Sequence, residues 1–273
     1  MSTLRSLELF KAGAAFAGKA VPQVLGALAV GGAGALVRAM GEWTLSGGLV
    51  AIGSLMEIAA WIAAGAAMTR LGFADEHHPG DPAFRIAPQG LQWGPQEWRF
   101  LGANFVIMTA TMLAVAVPMV VGLVLGLPFG VGTGEPSAIG SAIVGAGLFL
   151  GMVLAVYVGV RLSMAPIASI AERRLTIPWA LTKGHVRPLL GTYLLIVLIA
   201  VLIVLALTIV LGIAASGFGG SPKVQERAAA ALAAGLASLF VQLPLSVGAS
   251  VAAYRRLREV EAGGSGEPAG DAA

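Results

Sequence analysis

The run from Leu189 to Ala215 holds 27 residues and no charged side chain. At 1.5 Å per residue, a helix of that length exceeds the roughly 30 Å of hydrocarbon in a bilayer. Five more apolar stretches accompany it, near Val21–Val37, Leu45–Met68, Phe100–Leu127, Ile139–Val160 and Ala228–Ala253. The pattern predicts an all-α polytopic membrane protein with six transmembrane helices. Composition agrees. Charged residues make up 11% of the 273, hydrophobic ones 57%, and the mean hydropathy is +0.86. Soluble domains carry about 25% charged residues, so this chain has too little polar surface to cover itself in water.

The first stretch is short and rich in Gly and Ala. Some 20 residues precede it, and Arg38 follows where a small-residue cleavage site should lie, so it is expected to be a retained span. The breaks alternate. Three are short and built of turn formers: "MGEWTLSGG", "PFGVGTGEPSA" and "SGFGGSPK". The other two are longer and charged.

Of the 17 basic residues, 14 fall on one side of the bilayer. They are Arg5, Lys11, Lys19, Arg70, Arg85, Arg99, Arg161, Arg173, Arg174, Lys183, Arg187, Arg255, Arg256 and Arg258. Arg38, Lys223 and Arg227 fall on the other. The positive-inside rule then places both termini in the cytoplasm of a bacterial inner membrane protein. The net charge of +3 speaks to this orientation. No aromatic-interleaved basic surface points to nucleic acid. The absence of cysteine excludes disulfides, thiolate catalysis and Cys-ligated metals.

The spans group into three hairpins, each expected to follow an amphipathic interfacial helix. The three lead-ins are "SLELFKAGAAFAGKAVPQVLGAL", "LQWGPQEWRFLGANFVIM" and "TIPWALTKGHVRPLLGTYLL". Each hairpin closes on small residues and Arg-Leu, which aligns Arg70, Arg161 and Arg256, 91 and 95 residues apart. A three-fold repeat over 1–71, 91–162 and 176–257 is the economical reading. It sits inside a membrane domain of residues 1–260, with 261–273 a disordered tail. In the first lead-in, Arg5, Glu8, Lys11 and Lys19 share one side and Leu4, Leu7 and Phe10 another. In the third, Trp179, Lys183 and Arg187 recur at i+4, with Thr176 as cap and Pro188 as the bend into the membrane. Trp favours the headgroup level, and Lys and Arg reach phosphate from apolar stems.

Several features inside the spans bear on function. Gly147, Gly151, Ala155 and Gly159 form a small-residue stripe suited to helix packing. Pro118 and Pro244 each remove a backbone hydrogen bond in mid-span. Glu57 lies near the middle of the second span, where an ionised acid costs on the order of 3 kcal/mol. Ser238, Gln242, Ser246 and Ser250 recur at i+4 in the sixth span and are expected to supply its partners. The loop "ADEHHPGD" holds metal-ligand residue types without a recognised ligand spacing, so no metal is expected.

Arg161, Ser163, Ala165 and Pro166, then Glu172 and Arg173, then Trp179, Leu181, Thr182, Lys183 and Gly184 form one extended pattern. It resembles the membrane domain found in some bacterial glycerophosphoryl diester phosphodiesterases and in many stand-alone membrane proteins. The segments "LQWGPQEWRFLGAN" and "YRRL" resemble matching elements of that domain. The resemblance implies six helices and an association with lipid metabolism. The phosphodiesterase activity of that family resides in a separate barrel, whose metal-binding motifs this chain lacks.

The expected role is therefore a non-catalytic membrane module without cofactor. It binds anionic lipid headgroups or a protein partner at its cytoplasmic rim, through Trp179, Lys183, Arg187, Arg161, Arg70 and Arg256. The alternative is a small transporter or channel built on Glu57 and the polar stripe Ser238, Gln242 and Ser246.

Overall fold

Helices account for all the regular structure among the described residues, and six spans are long and apolar enough to cross a membrane. The computed structural model describes residues 5–74, 81, 84–131, 137–217 and 221–264. The first hairpin comprises α1 (Ser6–Ala20), a 3-10 turn at Val21–Val24, α2 (Leu25–Thr44) and α3 (Gly47–Phe73). The second comprises α4 (Pro95–Gly126) and α5 (Ala138–Leu162), and a short α6 (Ala165–Ala171) follows it. The third comprises α7 (Val186–Ala215), α8 (Pro222–Ala237), a π-helical turn at Ser238–Gln242 and α9 (Leu243–Gly264).

Local chemistry explains the helix ends. The first break is shorter than its sequence implies. The helix runs through Glu42 and Trp43 to Thr44, and only Leu45 and Ser46 turn the chain. Leu45 adopts a left-handed φ of 55°, and the Ser46 hydroxyl accepts the Leu49 N–H. Ser137 caps α5 in the same way through the Gly140 N–H, at 3.1 Å. The α4–α5 hairpin then zips along the small-residue stripe. A Cβ on Gly151 would lie 2.8 Å from the Val115 carbonyl, and one on Gly147 would lie 2.6 Å from that of Pro118. The stripe is a packing device, as expected.

The core sits toward the end of the bundle where the N-terminus and the charged breaks gather. Met68, Phe73, Phe100, Met164, Ile170, Leu189 and Leu243 are almost wholly buried there. Helix α6 packs against α3, α4 and α9 at this end, with Ile167 and Ile170 and the preceding Met164 in the core. In contrast, α4, α5 and α7 expose apolar side chains on most faces, Phe149 and Ile213 at about 70%. Hydrocarbon is the solvent that suits such a surface.

Three expectations about the lead-ins are corrected. Helix α1 exists, but it buries Leu9, Gly13 and Ala20 and leaves Leu7 exposed. It crosses α9 at a glycine pair, where a Cβ on Gly248 would meet the Gly13 carbonyl at 2.8 Å. Close backbone approach outweighed the larger side chains; Leu4 lies outside the described residues. Before the second hairpin there is no separate interfacial helix, since α4 starts at Pro95 and continues into the span. Before the third, residues 172–185 form turns, not a helix. Pro178 disfavours a helical Ile177, the Trp179 N–H closes a tight turn onto the Ile177 carbonyl at 2.8 Å, and Ser169 pins Thr176 by accepting its N–H at 3.1 Å. Thr176 therefore caps no helix, and Pro188 lies in the first turn of α7, where no N–H is needed. Of the expected tail, 261–264 belong to α9, and 265–273 lie outside the described residues.

Candidate functional site

The rim is organised by three arginines at the ends of the hairpins. Arg70, at the end of α3, pairs with Glu97 in the first turn of α4, and both side chains are almost fully buried. Glu97 also accepts the Gly94 N–H at 2.8 Å, so one carboxylate starts the helix and neutralises the arginine. Arg161, at the end of α5, donates to the Trp179 carbonyl at 2.7 Å and lies 4.4 Å over its ring. Arg256, on α9, reaches Glu8 of α1 at 3.0 Å, with both side chains half exposed. Each arginine holds the segment that leads into the next hairpin, and the third closes onto the first.

These contacts bear on the residues expected to meet lipid. Arg70 and Arg161 are buried and committed to protein partners. Arg256 is half exposed but faces an acid. Trp179 is a stacking partner of Arg161 and of Tyr157, at 6.3 Å. Lys183 and Arg187 are exposed. They do not share a helix face with Trp179, because the chain from 179 to 185 turns instead.

A different set of residues forms a groove at the rim, of about 560 Å3, between the end of α3 and the start of α4. Arg70, Arg85, Arg99, Arg173, Gln92 and Trp93 line it. Two of its arginines are matched, Arg70 by Glu97 and Arg173 by Asp81. Arg85 and Arg99 have no acidic partner among the described residues; Arg99 donates only to the Gln96 amide oxygen, at 3.3 Å. Trp93 and Trp98 stand edge to face 5.5 Å apart and are exposed. The rest of the metal-like loop, Asp75, Glu76, His77 and His78, lies outside the described residues.

Glu172 ties the rim together. It accepts from Tyr254 at 2.9 Å and from Thr176 at 3.1 Å, with Arg174 at 3.3 Å and Arg258 at 3.8 Å. Burial works to raise its carboxyl, but the hydrogen bonds from Tyr254, Thr176 and Arg174 and the charge of Arg258 outweigh it. The group titrates below the usual carboxylate range. A depressed folded pKa stabilises the fold above the unfolded value, near 4.3, and that stability is lost as pH falls through the folded value. The melting temperature of the wild type should therefore exceed that of Glu172→Gln at pH 6. The gap should close between about pH 4.3 and the lower folded value. A gap that stays constant from pH 6 to pH 3 would show that Glu172 contributes nothing by its charge.

Within the membrane-spanning region, Glu57 is paired, and not with the residues expected. Arg38 Nε lies 2.7 Å from its carboxylate. The same guanidinium donates to the Ala231 carbonyl of α8 at 2.7 Å, so the pair ties α2, α3 and α8 together. Gly235 makes room, since a Cβ there would come within 3.2 Å of both charged groups. The polar stripe is split. In the π turn the Leu243 N–H bonds to Ser238 O, five residues back, so the turn takes in one extra residue ahead of Pro244. Ser238 therefore lines a cavity of about 180 Å3 with Glu57 and Trp61. Gln242 faces outward, and Ser246 and Ser250 face a separate cavity.

Sequence reasoning missed Arg38 as the partner of Glu57, although a signal was present. Arg38 and Glu57 flank the turn at Leu45–Ser46 in an antiparallel hairpin, where Arg38 packs level with Gly53 and its long side chain reaches one helical turn further to Glu57. It also missed Arg85, Arg99 and Trp93 as one groove, because a loop's path decides their meeting. No family model matches the chain, and no curated protein or solved structure does either.

Proposed function

We propose that this chain is a non-catalytic module of a bacterial inner membrane that binds anionic lipid headgroups at its cytoplasmic rim. The observation that carries the reading is the rim groove, where Arg85 and Arg99 have no acidic partner among the described residues and Trp93 and Trp98 stand exposed beside them. Arginine forks suit phosphate, and tryptophan settles at the headgroup level. The basic bias of 14 residues to 3 supports a cytoplasmic side for this rim and both termini, against the anionic leaflet. The resemblance of Arg161–Gly184 to a membrane domain linked with lipid metabolism points the same way.

The transporter reading has less support. Its main residue, Glu57, is neutralised by Arg38, and its stripe does not face one path.

Each basic group near an anionic surface contributes about 1 kcal/mol. Changing both Arg85 and Arg99 to Gln should therefore lower the affinity for phosphatidylglycerol on the order of 30-fold at low salt. The difference should shrink as salt screens the charges. The measurement is native mass spectrometry of lipid retained by the purified protein. Undiminished retention at low salt would remove the groove as the binding site.

A further inference from the structure

A second cavity, of about 200 Å3, lies where the three hairpins meet, from the rim to about 15 Å below it. Trp61 and Phe100 wall one side, their rings 5.6 Å apart. Asn104, Ser163, Tyr193, Ser246 and Ser250 bring polar atoms to it, and among the described residues no charged one lines it. Hydrogen-bond accounting shows what it lacks. Asn104 donates to the Phe100 carbonyl at 2.8 Å, Ser163 to that of Val160 at 2.8 Å and Ser246 to that of Leu243 at 3.0 Å. Tyr193 and Ser250 share a hydrogen bond of 2.7 Å. The unspent capacity is mostly lone pairs, with the Asn104 carbonyl oxygen and the Ser246 hydroxyl oxygen lacking a donor among the described residues, beside two unspent donors, the second Asn104 N–H and one O–H of the Tyr193–Ser250 pair.

We propose that this cavity binds the hydroxyl-bearing head of a neutral diacyl lipid, a diacylglycerol, taken sideways from the bilayer. A phosphate would bring its charge into a site lined by no cation among the described residues, which is costly in a low dielectric. A cation would sit without a counter-charge in a low dielectric. A neutral hydroxyl supplies the missing donor at no such cost. The volume is that of six or seven waters at about 30 Å3 each, room for a three-carbon polyol head. The bilayer is the source because the surroundings are apolar. Phe105, Met108, Val156, Leu194 and Val197 are exposed within a turn of the lining residues, and α5 and α7 meet only sparsely. Acyl chains lie along this opening while the head sits within. The site is separate from the rim groove and does not depend on it.

The test uses the full chain in phosphatidylcholine nanodiscs with a photoreactive diacylglycerol, its methyl ether and unlabelled competitors. The hydroxyl probe should label α4, α7 or α9 about tenfold more than the ether, which cannot donate. Unlabelled diacylglycerol should compete and free glycerol should not. Asn104→Leu should abolish the preference for the hydroxyl. Ser246→Ala, nearly isosteric, should reduce it with the melting temperature unchanged. Changing Arg85 and Arg99 to Gln should leave it intact, which separates this site from the rim groove. Equal labelling by the ether, competition by glycerol, or full preference in both cavity variants would each overturn the assignment.

Discussion

Arg70→Met is expected to destabilise the protein by about 3–5 kcal/mol, because it strands the Glu97 carboxylate among buried groups. The side chains of the pair are 5% and 1% exposed, so water cannot replace the lost partner. Arg70→Met combined with Glu97→Leu should recover most of the loss, since apolar residues of similar size need no solvation. The recovery should fall short by about 1 kcal/mol, the worth of the bond from Glu97 to the Gly94 N–H. Denaturation of both single variants and the double variant in one detergent gives the coupling energy. Additive losses would mean that the two charges do not depend on each other.

Glu57→Gln is expected to cost on the order of 2–3 kcal/mol although it preserves shape, because Arg38 keeps its charge and loses its anion. The effect is smaller than at Arg70, since the pair is 24% and 17% exposed and Arg38 stands only about 9 Å from the end of α2. A long arginine that close to the interface can turn part of its charge toward water. Gln at both positions should restore stability, because two neutral groups can still bond across α2 and α3. The comparison needs thermal melts of the three variants in nanodiscs. A stable Glu57→Gln single variant would show that the charge of Glu57 is not what holds Arg38.

How legible the molecule was depended on the range of the interactions involved. The six spans were readable because each is a local property, a run of residues whose transfer to hydrocarbon is favourable wherever its neighbours lie. The glycine stripe was readable for a similar reason, since helical periodicity alone puts Gly147 and Gly151 on one face. The interfacial lead-ins were not. Their amphipathic spacing is equally compatible with a helix, a turn or the start of a span, and Ser169, Pro178 and the Gly13–Gly248 crossing made the choice.

The sequence by itself therefore determined the class, the number of spans and the side on which the charge gathers. The tertiary structure alone decided which charges are spent and which are free. Arg70, Arg85, Arg161 and Arg99 are the same residue type on the same side of the membrane. Two are buried against Glu97 and the Trp179 carbonyl, and two have no acidic partner among the described residues and lie beside exposed tryptophans. Glu57 was visible as costly, but its partner came from another helix. The stripe of Ser238, Gln242, Ser246 and Ser250 held only while the helix kept its 3.6-residue period, and the π turn before Pro244 broke it. Burial and pairing are sums over neighbours distant in the chain, and a one-residue change of register reassigns every neighbour that follows.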